Sequence, residues 1–209
     1  MSLERKIDYW MDRIVLQWKS MGKYKYVSFL YFYCILPITI CFLKRIDPGG
    51  YLDYFEQLIM FFIPLFATWW ISLVMQEYVE GDGRELLHIG NDGRLWDVII
   101  FSLIYLISLF PLFIYVENIM PRAIIVIPII LAKSLLFVGI SYFFCVLSSN
   151  VAVGIIINVT LGLFLEGRLG TVLGYIGLEN YISVLGYMSL GLCLLLCGKI
   201  IENKIGNCI

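Results

Sequence analysis

Polar and apolar positions fall in long blocks along this chain. In residues 2–22, Leu3, Ile7, Trp10, Ile14, Trp18 and Met21 recur at intervals of three and four. Glu4, Arg5, Lys6, Asp8, Asp12, Arg13 and Lys19 fill the opposite side. That spacing predicts an amphipathic helix lying in a membrane interface, its two tryptophans on the apolar side. Six apolar runs follow, at 27–43, 58–75, 96–116, 123–147, 151–165 and 183–201, each read as a membrane span. Pro37 predicts a kink in the first, Pro64 and the Trp69-Trp70 pair mark the second, and Pro128 and Lys133 lie in the fourth. A polar hairpin at 44–50, with an amphipathic turn at 51–57, separates the first two. Residues 117–122 and 148–150 make later breaks. At 167–182 a glycine recurs every three or four residues (Gly167, Gly170, Gly174, Gly177) in a stretch too broken to span and too apolar for a free loop. Irregular backbone at membrane depth must be covered by protein or line a cavity, so a re-entrant helical hairpin is expected there. A polar tail, 202–209, ends the chain.

Composition agrees with this pattern. The chain is 61% hydrophobic and 15% charged, against about 25% charged residues in soluble domains. The expectation is an all-α integral membrane protein, one transmembrane domain over residues 1–209. A cleavable signal peptide is not expected, because the first residues are charged and amphipathic. The six cysteines, Cys34, Cys41, Cys145, Cys193, Cys197 and Cys208, show neither CxxC nor zinc spacing with a histidine, and most read as small buried hydrophobes. Six spans put both termini on one side. With the N-terminus inside, ten lysines and arginines lie on the inner segments and four on the outer ones, which places both termini in the cytoplasm by the positive-inside rule.

Residues 77–97 stand apart. They hold six carboxylates, two arginines and the single histidine, His88, between two apolar runs. Unpaired charges in a core or bilayer cost several kcal/mol, so this segment belongs in water or against another protein. Asp82 and Glu85 form a capping-box-like pair, and Gly90-Asn91 makes a stop. Residues 84–89 then form about two turns of helix, with Leu86, Leu87 and Ile89 available for contact. A helix that short is marginal alone and needs something packed on it.

With this segment the chain resembles the type-2 ABC exporter permeases, in a small bacterial form. The family combines an interfacial N-terminal helix, six spans, a coupling helix between the second and third, and re-entrant helices before the last. Its coupling region runs Glu-x-Glu-x-Gly-Thr-x-Glu-Leu-Leu, then proline, then Ser-Arg. Here Glu77, Glu80, Gly83, Glu85, Leu86, Leu87 and Arg94 stand in matching order. The threonine is missing, Gly90-Asn91 replaces the proline, and Asp97 lies near a common lysine position. The resemblance implies a multi-pass subunit of the bacterial cell (plasma) membrane that pairs with a second permease copy or a homologous permease. It also implies two separate ABC ATPase subunits, which would hold the ATP and magnesium; no cofactor is expected in this chain, which lacks GxxxxGK[ST]. Glu80, Arg84, Glu85, Leu86, Leu87, His88 and Ile89 of the 77–95 coupling loop would receive the ATPase stroke and rock the second and third spans. Lipid is a further expected partner; nucleic acid is not.

Polar residues inside the spans are candidates for the translocation pathway. Lys133 lies about eleven residues past the 121–122 turn, ~16 Å of helix, near mid-bilayer, where a lysine must face the bundle interior. It either lines the pathway or binds an anionic headgroup, or it locks helices by capping carbonyls freed by Pro128. Asn158 reads first as an interhelical hydrogen bond, while Glu166 and Glu179 flank the glycine-rich hairpin and either guard an exit or solvate it. Gly186 and Gly191 allow close packing in the last span. Two other classes stay open. One is a non-transporting membrane anchor or immunity protein. The other is an intramembrane peptide-processing enzyme, although His88 has no cysteine near it in sequence, DGxxAR is broken after Asp92-Gly93, and GxSx and HExxH are missing. The aromatic spans favour an amphipathic cargo: a peptide, a lipid or a hydrophobic drug.

Charge reversal at Glu85 (Glu85→Lys) is expected to uncouple ATPase stimulation. An ATPase assay on the reconstituted complex checks it; unchanged assembly and transport would sink the coupling role.

Overall fold

A lipid-embedded backbone must satisfy its own hydrogen bonds, so this composition leaves helices or a closed barrel. The computed structural model takes the helical solution. It describes residues 3–79, 93–119, 123–164 and 179–206, with side chains described for 10–79, 93–119, 125–163 and 183–204. Eight helices are described: α1 (Leu3–Ser20), α2 (Tyr26–Ile46), α3 (Tyr51–Val79), α4 (Arg94–Ser108), α5 (Phe110–Ile119), α6 (Ala123–Ser148), α7 (Val151–Phe164) and α8 (Glu179–Gly206).

Four of them, α2, α3, α6 and α8, are long and apolar enough to cross a membrane. A fifth crossing is available if α4 and α5 are taken together, bent by 44° at Leu109. Pro111, in the first turn of α5, has no N–H to give and breaks the helical ladder there. The Tyr33 hydroxyl caps the break by donating to the Ser108 carbonyl at 2.6 Å. The fifth expected span, 151–165, corresponds to α7, whose 14 residues cover only ~21 Å of a hydrocarbon core about 30 Å thick. Six spans are thus an expectation that the described helices meet in four or five.

Several boundaries differ from those expected. The amphipathic turn at 51–57 is no separate element; α3 runs through it for 29 residues. Asp47 makes the reversal before it, its Oδ1 accepting from the Gly49 and Gly50 amides at 3.2 and 3.0 Å. The kink expected at Pro37 is absorbed by a π turn at Tyr31–Ile35, one turn earlier, within an otherwise continuous α2. Ser28, Phe32, Leu36 and Ile40 form its buried seam. Of the hairpin expected at 167–182, residues 179–182 are the first turn of α8, and 167–178 lie outside the described residues. The expected tail also begins later than read: α8 continues through Glu202 to Gly206.

α3 and α6 are the most enclosed of the spanning helices, whereas α2 and α8 expose most of their apolar surface. α8 nonetheless packs along α6 very closely. A Cβ on Gly139 would come within 2.5 Å of the Gly191 carbonyl oxygen, and one on Gly191 within 2.9 Å of the Leu135 backbone. Small residues that let backbones touch are how membrane helices gain dispersion contact without a hydrophobic drive. Gly186, expected to serve the same purpose, faces open space.

The amphipathic helix α1 docks on its own bundle. Trp18 packs edge-on to Trp70 at 5.8 Å and stacks on Phe101 at 6.5 Å, and Met21 is fully enclosed. Gln17 donates to the Val74 carbonyl at 2.8 Å. Met11, Val15 and Leu16 remain exposed on another side.

Gly191→Val is expected to lower unfolding free energy by about 2 kcal/mol or more through overpacking. Gly186→Val should stay within about 0.5 kcal/mol of the parent. Unfolding in mixed detergent micelles measures both.

Candidate functional site

The described residues converge on one end of the bundle, where α3 ends and α4 begins. Residues 80–92 connect these two helices, so Glu80, Arg84, Glu85, Leu86, Leu87, His88 and Ile89 lie outside the described residues. The groups at their roots are well defined.

Asp97 sits in the first turn of α4, where the helix dipole favours a carboxylate. It is 1% exposed. Arg13 reaches it from α1, with Nε and Nη2 both 3.0 Å from Oδ2. Tyr78, in the last turn of α3, donates its hydroxyl to the same oxygen and accepts from Arg13 Nη2 at 2.6 Å. Three helices distant in sequence thus meet at a single carboxylate oxygen. Oδ1 of Asp97 is buried, with no hydrogen-bond partner among the described residues. Burial works against the charge of Arg13, but Asp97 and Tyr78 outweigh it and hold the guanidinium above its ordinary range.

A second cluster adjoins the first. Glu202 of α8 accepts from the Tyr142 hydroxyl of α6 at 2.6 Å and from Lys199 at 3.3 Å, both through Oε2. Its Oε1 lies 3.3 Å from Arg94 Nε. The Arg94 guanidinium stands 5.3 Å from the centroid of the Tyr78 ring, which links the two clusters. The frame Arg13–Asp97–Tyr78–Arg94–Glu202–Tyr142 therefore ties α1, α3, α4, α6 and α8 together at the roots of the 80–92 segment.

Sequence reading missed this frame. Arg13 was expected on the solvated side of α1, but the polar side of that helix is not uniform: Asp12 and Lys19 face out while Arg13 turns in to the bundle. Asp97 is a carboxylate at the second position of the apolar run 96–116, and that was the available signal. Glu202 carried none, since the chain turns polar around it.

Of the expected pathway residues, Lys133 and Asn158 are described with their side chains. Lys133 is buried on α6. Asn158 is fully enclosed on α7, its Nδ2 donating to the Phe137 carbonyl at 2.9 Å and to Ser141 Oγ at 2.7 Å. It therefore fastens α7 to α6, the structural role read first from sequence. Glu166 lies outside the described residues; Glu179 opens α8, with its side chain outside them. Of the cysteines, Cys145 is enclosed, whereas Cys34, Cys41 and Cys193 are exposed on apolar helices.

Arg13→Ala is expected to destabilise the fold by about 3–5 kcal/mol, because it strands a buried carboxylate. The double variant Arg13→Met/Asp97→Leu should recover most of that loss. A thermal unfolding cycle in detergent tests it, and additive losses in the double variant would contradict the pairing.

No protein family matches this chain, and no curated protein or solved structure matches it.

Proposed function

We propose that the chain is the membrane-spanning permease subunit of an ATP-driven ABC exporter. In this reading it has six spans, with 151–165 as the fifth, and both termini in the cytoplasm of a bacterial cell. It pairs with a second copy or a homologous permease, and separate ATPase subunits hold the ATP and magnesium.

The observation that carries this reading is the ion-pair frame beneath residues 80–92. A segment that receives force must be joined rigidly to what it moves, and here both of its roots are clamped. Tyr78 and Asp97 bind each other and Arg13, and Arg94 is held by Glu202. A push on 80–92 is then carried into α3, α4 and α8 together instead of bending one loop. Interfaces of packed helices respond to such pushes by discrete rocking, and rocking against a partner permease alternates access to a central site. Support also comes from the matching order of Glu77, Glu80, Gly83, Glu85, Leu86, Leu87 and Arg94. The cargo of this reading is amphipathic: a peptide, a lipid or a hydrophobic drug.

The test is purification of the tagged full chain from its native membrane. An ATP-binding subunit is expected to copurify, and its ATPase activity in proteoliposomes should fall sharply with Glu202→Gln while assembly persists. An eluate without any ATPase would favour the non-transporting anchor or immunity protein.

A further inference from the structure

The elbow between α1 and α2 combines an apolar cleft with a cluster of lysines. Five residues, 21–25, make the turn, and Gly22 supplies the left-handed backbone it needs (φ +56°). Beside the elbow a cleft of about 500 Å³ runs along the outer side of α2, lined by Tyr26, Phe29, Leu30, Tyr33 and Cys34, with Lys23 at its elbow end. Its wall is a ladder of rings. Tyr26 and Phe29 lie 6.4 Å apart, as do Phe29 and Tyr33, and Phe29 is braced edge-on against Trp70 at 5.8 Å. Tyr33 is fixed in place by its bond to the Ser108 carbonyl. The wall is therefore preformed.

Three lysines, Lys19, Lys23 and Lys25, cluster at the elbow. Lys19 and Lys23 are exposed. Lys25 is buried, its Nζ donating to the Trp18 carbonyl at 2.5 Å and lying 4.4 Å from the Trp18 ring centroid. It is also 5.4 Å from the ring of Tyr26, so its charge stands behind the wall of the cleft. Among the described residues no carboxylate lies within 4.0 Å of any of the three. Glu77 lines a separate pocket of about 240 Å³ on the other side of the turn, with Ser20, Gly22 and Tyr24. Trp69 donates to the Tyr24 carbonyl at 3.2 Å and adds an aromatic group of the kind that sits at headgroup depth.

We propose that this cleft is a binding site for an acidic phospholipid, with the headgroup phosphate on Lys23 and one acyl chain against the Tyr26–Phe29–Tyr33 ladder. Both halves of the ligand have a counterpart. The cleft offers almost purely apolar lining where the membrane-spanning helix begins, and its elbow end carries Lys23, which pairs with no carboxylate among the described residues. A neutral zwitterionic lipid would gain the apolar half alone. A lysine at the membrane surface is worth about a five-fold preference for an anionic lipid.

The test is native mass spectrometry of the full chain, extracted in mild detergent and titrated with equimolar phosphatidylglycerol and phosphatidylcholine. The parent should retain phosphatidylglycerol preferentially, and Lys23→Gln should cut that preference about five-fold. Lys44→Gln, at the far end of α2, should leave it unchanged. Leu30→Trp, which fills the cleft, should lower retention with every lysine intact, whereas Leu190→Trp on exposed α8 should not. Equal retention of the two lipids would overturn the proposal, as would a preference unmoved by Lys23→Gln. Loss on Lys23→Gln without loss on Leu30→Trp would also overturn it, since that is diffuse surface attraction. Displacement by soluble glycerol phosphate at matched concentration would overturn the lipid assignment in favour of a free anion.

Discussion

The fold turns on the buried contact between Arg13 and Asp97. Neither charge is tolerable alone at that depth, because removing either from water costs several kcal/mol and only close pairing returns it. The two residues are separated by 84 positions in sequence. Their pairing fixes where α1 lies and how α4 starts, and with Tyr78 it also fixes where α3 ends. Apolar packing alone would leave these helices freedom to slide, since a leucine contact in lipid resembles a leucine contact in protein. Directional bonds to one oxygen remove that freedom.

Specificity and compactness therefore come from different sources at different levels of the molecule. Near the middle, α6 and α8 approach through Gly139 and Gly191, and α7 is fastened by one amide, Asn158. At the end near residues 80–92, charged groups replace small ones. The enclosed aromatics, Trp70, Tyr105 and Phe101 among them, fill the space between. Two of the three also spend their polar atoms on neighbouring helices: Trp70 donates to Ser28 Oγ and Tyr105 to the Ile63 carbonyl, at 2.9 Å each. A bundle assembled this way has few ways of shifting register without losing a hydrogen bond.

Much of the helical layout was legible in the pattern of residues, because long apolar runs and a three-four spacing leave few alternatives. The limits near 123 and 148 followed directly from the polar breaks. Less legible were features that depend on distant partners. Nothing near Arg13 distinguishes it from its charged neighbours on α1, and Glu202 looks like tail until α8 is seen continuing along α6. Pro111 was a readable breaker that a continuous span at 96–116 passed over. Residues 80–92, the middle of the 77–95 loop that the family resemblance marks as a coupling element, lie outside the described residues.

The π turn in α2 has a geometric effect on how that helix can be read at all. Its enclosed residues, Ser28, Phe32, Leu36 and Ile40, are spaced four apart without exception. An ordinary α-helix advances about 40° too far with each such step, so three steps would carry Ile40 about 120° away from Ser28. The wider turn at Tyr31–Ile35 winds that excess back. A helical wheel drawn over the whole of α2 therefore smears a single straight stripe into an apparently featureless cylinder. The helix is two wheels with different zeros, joined at the turn before Pro37.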